Sequence, residues 1–164
     1  MRNIFLSLLL ALSISGMAED VQIRDVFRQM PDSILPTLSV NNRLDMIDFM
    51  DSHMKAEVTN LLEGKSEMTA LGEDSITIRV SDALNISILL LNTTELIDDS
   101  NQVVCLVQTY GTDSLSLNSK IEFFTIQWKK LSDTPQLSET DKQRISSLDK
   151  KTILNYMDAI LKKD

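Results

Sequence analysis

Ser75-Ile76-Thr77-Ile78-Arg79-Val80 alternates apolar and polar residues along its whole length. Successive side chains of a strand point to opposite faces, so Ile76, Ile78 and Val80 turn inward while Thr77 and Arg79 face out. Just before it, Gly72-Glu73-Asp74 can turn a hairpin back to a short strand around Glu67 to Leu71. After it, Asn85 to Leu91 (NISILLL) reads as a third strand. Val103 to Tyr110 (VVCLVQTY) starts apolar on both faces, which suits a central, covered strand. Lys120 to Trp128 (KIEFFTIQW) holds three large aromatics, Phe123, Phe124 and Trp128, with Phe124, Ile126 and Trp128 on one face.

Helical patterns flank these strands. Glu19 to Gln29 reads as a short helix with its acidic residues first, and Pro31 and Pro36 then break the chain. Ser39 or Asn41 can cap a second helix. Leu44, Ile47, Met50, Met54, Val58 and Leu61 recur at spacings of 3, 3, 4, 4 and 3, a helical period, with Gly64 as the stop. Near the C-terminus, Leu148, Ile153, Leu154, Met157, Ile160 and Leu161 form a further stripe ending in Lys162 and Lys163. Helices at both ends and strands between predict an α+β fold: an antiparallel sheet of about five or six strands, with N- and C-terminal helices packed on one face.

The 164 residues fit one domain, since domains commonly hold about 100 to 150 residues. The first 18 read as a signal peptide. Arg2 is the positive start, Ile4 to Ile14 is the apolar run, and Gly16 and Ala18 are the small residues before a cleavage ahead of Glu19. The apolar run is too short to span a bilayer, and no cysteine follows it to accept a lipid. The expected mature chain, 19–164, is soluble and periplasmic or extracellular. With Arg2 gone, 15 basic residues face 24 acidic ones, a net charge of −9. Such a chain repels phosphate backbones and anionic membrane surfaces, so nucleic acid is not an expected partner.

The densest patch of chemistry is Asn41 to His53, with Asn42, Arg43, Asp45, Asp48, Asp51 and the only histidine. On a helix, Asp45, Asp48 and Asp51 lie three apart and can meet as pairs, which could share acid–base work or hold a hard cation. The plainer reading puts them on the wet flank of the helix, with Asp51 pairing Lys55 and Arg43 pairing Asp45 or Asp48. His53 has no second histidine, no HxxxH and no CxxC around it, so no metal or cofactor is expected. It could pair with Glu57, four residues on. Asn42, Arg43, Asp45, Asp48 and His53 are thus the first candidates for a ligand site, and no catalytic residue is assigned.

Other motifs add little. Cys105, the only cysteine, lies in an apolar run and reads as a buried, inert thiol. The four glycines are isolated and form no phosphate loop, and no GxSxG occurs. Asn85-Ile86-Ser87 and Asn92-Thr93-Thr94 match a glycosylation pattern, which carries meaning only in a eukaryotic host. The eight methionines read as core filler before a lipid slot.

Leu35-Pro36-Thr37-Leu38, the run Asn41 to Asp51, Met54-Lys55-Ala56-Glu57-Val58-Thr59-Asn60 and Gly64-Lys65-Ser66-Glu67 resemble a known family. It comprises uncharacterised secreted proteins, a domain of unknown function, from anaerobic Gram-negative gut and oral bacteria. The resemblance is clear over about Ile34 to Leu91 and looser through Tyr110-Gly111 to Trp128. It implies a bacterial host and export, and brings no activity or site residues. The leading expectation is an exported, non-enzymatic binding or envelope-associated module. One alternative is a carrier of an apolar ligand between sheet and helices; another is a hydrolase using Asp45, Asp48 and His53.

Overall fold

The computed structural model describes residues 21–111 and 118–148. Strands β1 (Ala56–Thr59), β2 (Lys65–Leu71), β3 (Ser75–Ser81), β4 (Leu84–Ile97), β5 (Ser100–Tyr110) and β6 (Asn118–Thr125) form one sheet in the order β1-β2-β3-β4-β5-β6. Every neighbouring pair is antiparallel, so the α+β class and the antiparallel sheet hold.

Alternation divides the sheet into two faces with different cores. Ile76, Ile78, Val80, Ile86, Ile88, Leu90, Val104, Leu106 and Phe124 meet helices α1 (Ile23–Arg28) and α2 (Val40–Asp51). Leu89, Leu91, Val103, Cys105, Val107 and Phe123 point the other way and meet Leu137 and Ile145, the latter on helix α3 (Glu139–Leu148). Helix α3 takes the face opposite α1 and α2, while the C-terminal helical stripe expected from Leu148 to Leu161 lies, beyond Leu148, outside the described residues. The reason lies in β4 and β5, apolar on both faces through their middle, so that each face needs a cover.

The long stripe from Leu44 to Leu61 is also corrected. Helix α2 ends at Asp51, and Ala56 to Thr59 is a strand. Leu44, Met54 and Leu61 are exposed, while Arg43, Met46 and Ile47 make the buried face. His53 stops the helix by taking a left-handed φ of 55°. The His53 N–H then donates to the Met50 carbonyl at 3.0 Å and the Met54 N–H to the Phe49 carbonyl at 2.8 Å, the paired bonds of a Schellman stop. Gly64 belongs to the β1–β2 turn, where its N–H donates to Asn60 Oδ1 at 3.1 Å.

Two more strand ends differ from expectation. β6 stops at Thr125, because Trp128 adopts a φ of 66° and its N–H donates back to the Thr125 carbonyl at 2.9 Å. β4 and β5 run longer than expected and meet in a two-residue turn at Asp98 (φ 47°) and Asp99 (φ 63°), the left-handed pair that suits tight hairpins. Beyond Leu89, β4 outruns β3, and residues 136–138 occupy its free edge. Thr94 N–H donates to the Gln136 carbonyl at 3.0 Å and Ser138 N–H to the Asn92 carbonyl at 3.2 Å. An open strand edge is thereby covered.

Candidate functional site

The sequence candidates on α2 separate once folded. Ser39 is the N-cap: its Oγ accepts the Asn42 N–H at 3.2 Å, and Asn42 Oδ1 accepts the Ser39 N–H at 3.2 Å. Asn42 Nδ2 also donates to the Thr59 carbonyl at 3.1 Å, so Asn42 both caps the helix and ties it to β1. Arg43 turns inward and is fully buried. Its Nη1 donates to Asp32 Oδ1 at 2.8 Å and to the Leu38 carbonyl at 2.7 Å, and Nη2 donates to the Met30 carbonyl at 2.5 Å. The expected pairing of Arg43 with Asp45 or Asp48 does not form. The guanidinium instead fastens the Met30–Leu38 segment to α2 through Nη1 and Nη2, while its buried Nε has no partner.

Asp45 and Asp48 stay exposed on α2, and His53 is exposed beyond its end. Asp51 pairs with Arg24 on α1, at 2.9 Å, rather than with Lys55, whose Nζ sits 2.6 Å from Glu57 Oε2. The Lys55 hydrogen bond and charge hold the Glu57 carboxyl below its usual range, even though desolvation opposes them. Among the described residues, no group of three or more His, Cys, Asp or Glu side chains could hold a metal ion. Cys105 is buried, and desolvation pushes its thiol up to about 12.

A polar cluster that the sequence reading passed over joins α3 to the sheet. Asp141, almost wholly buried, accepts the Asn92 N–H at 2.7 Å, the Ser138 hydroxyl at 2.9 Å and Arg144 Nη1 at 2.9 Å. Arg144 Nη2 reaches Asp74 Oδ1 at 2.9 Å, and its Nη1 also donates to the Leu90 carbonyl at 3.3 Å. Every oxygen of that buried carboxylate is satisfied, so the cluster works as a clamp. Its signal was present in Ser138-Glu139-Thr140-Asp141, a capping pattern at a helix start.

The feature most open to a partner is apolar. Leu61 and Leu62, in the β1–β2 turn, are 63% and 76% exposed. Leu61 N–H donates to the Thr37 carbonyl at 2.9 Å, and the Asn42–Thr59 bond lies alongside, so the turn is sewn to the start of α2. There Val40 and Leu44, one helical turn apart, are exposed as well. Two adjacent, strongly exposed leucines on one turn are an apolar feature of the kind that marks contact surfaces.

These features define a six-stranded antiparallel α+β protein with helices on both faces and two exposed leucines on the β1–β2 turn. A search of curated proteins found no match. The chain belongs to the family described as "Protein of unknown function (DUF3256)", which matches residues 14–164. It is also similar to the solved structure of a domain of an uncharacterized protein from Porphyromonas gingivalis W83, with a TM-score of 0.54 and 24% identity. That likeness covers 67% of this chain and 53% of the other, so this chain spans about half the length of that structure. At this identity the likeness shows the fold alone. Among the described residues, no helix is long and apolar enough to cross a membrane.

Proposed function

We propose that this chain is an exported, non-enzymatic binding module of the bacterial envelope, and that it engages its partner through Leu61 and Leu62 of the β1–β2 turn. The observation that carries the reading is the exposure of Leu61 and Leu62 on a turn held in place by two hydrogen bonds. Preorganised aliphatic side chains lose little freedom on docking, which favours their use as anchors. Export rests on the N-terminal pattern of Arg2, Ile4 to Ile14, Gly16 and Ala18.

The two alternatives have less behind them. A carrier would need room between sheet and helices, where Phe27, Met30, Leu38, Met46, Ile47 and Met68 pack together as core. A hydrolase would need Asp45, Asp48 and His53 to converge in a water-excluding site, and all three are exposed, with His53 spent on stopping a helix.

In-cell photo-crosslinking tests the reading. A photoreactive residue at Leu61 or Leu62 should give a discrete adduct with an envelope protein, and the same residue at exposed Asn101 should not. Equal labelling at all three positions, or hydrolytic activity that depends on His53, would refute it. Fractionation with N-terminal sequencing tests export, with Glu19 as the expected first residue.

A further inference from the structure

We propose that α3 is a releasable cover on the second face of the sheet, held shut by the ionic clamp of Asp141, Arg144 and Asp74 and able to leave while the rest of the fold stands. The inference is independent of the partner assigned to Leu61 and Leu62. The helix has little apolar grip of its own. Along Glu139–Leu148 the buried residues are Ile145 and Asp141, and Leu148 is exposed. Helix α1, with only six residues, buries Ile23, Val26 and Phe27, and α2 buries Met46 and Ile47 beside Arg43. Charge, more than apolar surface, seats α3.

The clamp has a buried end and a wet end. Asp141 accepts from the Asn92 N–H, the Ser138 hydroxyl and Arg144 Nη1, and Arg144 carries the link outward to the Leu90 carbonyl and to the half-exposed Asp74. A buried carboxylate is tolerated while its partners are all in place and becomes strongly unfavourable when one of them leaves. Losing the Arg144 contact therefore does not loosen α3 by degrees. It leaves Asp141 charged and under-satisfied against the sheet, where water would serve it better, so the helix is either seated with the full set or released. The backbone supplies the pivot: Thr94 N–H to the Gln136 carbonyl and Ser138 N–H to the Asn92 carbonyl hold residues 136–138 on the edge of β4 without any help from α3 side chains. Beneath the cover, Ile145 shares one apolar cluster with Leu89, Leu91, Val103, Cys105 and Phe123. Cys105 is fully buried and is the only cysteine, so release of α3 is read directly as access to its thiol. Fraying of the helix from its Leu148 end would neither involve Arg144 nor uncover Cys105.

The test follows labelling of Cys105 by a thiol reagent in the purified full chain at rising urea, beside global unfolding by circular dichroism. In the wild type, labelling at low urea should depend on urea with a slope well below that of global unfolding, the mark of a partial opening. Arg144→Met, which keeps the stem and loses the charge, should speed native labelling about tenfold or more. Asp74→Asn removes only the wet end of the clamp, keeps the fold whatever Arg144→Met does, and should speed labelling by a smaller factor. Ile47→Val, on the opposite face, should lower the global midpoint and leave labelling at low urea unchanged. Hydrogen exchange at the amides of α3 should report the same shallow opening, shifted by Arg144→Met in step with the thiol. The proposal is overturned if Cys105 is labelled only through global unfolding, with one slope in every variant, or if Ile47→Val speeds labelling as much as Arg144→Met. Exchange of the α3 amides without any gain in Cys105 reactivity would equally overturn it, since that is fraying.

Discussion

The indole N–H of Trp128 donates to the Val26 carbonyl at 2.7 Å, joining α1 to the turn that follows β6 across 102 residues of chain. The ring also packs against Phe124, with centroids 5.5 Å apart. Trp128→Phe keeps much of the packing and leaves the Val26 carbonyl without that donor. A buried acceptor left unpaired costs about 1–3 kcal/mol. The urea midpoint, followed by circular dichroism because the only tryptophan is gone, should fall accordingly with an unchanged slope.

Arg43 and the aspartates of α2 should separate sharply. Arg43→Ala strands two buried carbonyls and removes the partner of Asp32, and breaking such a buried arrangement costs about 3–5 kcal/mol. Ile47→Ala, at a fully buried position, should cost about 2–5 kcal/mol. Asp45→Asn and Asp48→Asn, both exposed, should stay within about 0.5 kcal/mol of wild type. Chemical denaturation of the four variants decides this. A large effect of Asp48→Asn would mean that the aspartate is held against its own preference.

His53 acts through its backbone. A non-glycine residue at φ 55° is strained, and glycine adopts that conformation freely. His53→Gly should be neutral or stabilising by up to about 1 kcal/mol, and His53→Val, β-branched at the same φ, should destabilise clearly. Thermal midpoints of both variants give the answer, and a loss of stability in the glycine variant would count against the cap role.

Burial of Cys105 ties stability to pH. The folded thiol titrates at about 12, against an ordinary 9.0. Above pH 9.0 the unfolded chain gives up this proton while the folded chain keeps it, so the unfolded state gains. The contribution is fully present below pH 9.0 and is lost progressively as pH rises toward 12. Denaturant midpoints of wild type and Cys105→Ala, compared across that range, should show the extra decline only where the thiol is present. A thiol reagent should label the native chain far more slowly than the denatured one.

Strand β3 was legible because its alternation is unbroken over Ile76, Ile78 and Val80, and the covered middle of β5 because Val103 to Val107 is apolar throughout. β1 was hidden. Ala56 and Val58 supply only two inward positions, and Val58 also continued the helical count from Leu44, so a longer period absorbed a shorter one. What broke the helix was a backbone conformation at His53, which hydrophobic periodicity does not report. The same reading misjudged Arg43, because a buried arginine satisfied by carbonyls from Met30 and Leu38 leaves no trace in local sequence. The placement of α3 on the opposite face was half visible in β4 and β5, whose two apolar faces each require a cover. Asp141 was marked only by a capping pattern, with its bond to Asn92 set 49 residues away.

The strand order has a consequence for how the chain acquires its shape. Each strand pairs only with its neighbours in sequence, so every hairpin can zip as soon as its own turn has formed, and little loop entropy is lost at each step. The sheet can grow from the Asp98–Asp99 turn outward without waiting for remote partners. Longer stretches of chain are spanned where residues 136–144 reach β4 and Asp74, and where Trp128 reaches Val26. The barrier to folding should therefore lie in seating α1 under the far end of an already assembled sheet, with Trp128 as its late reporter.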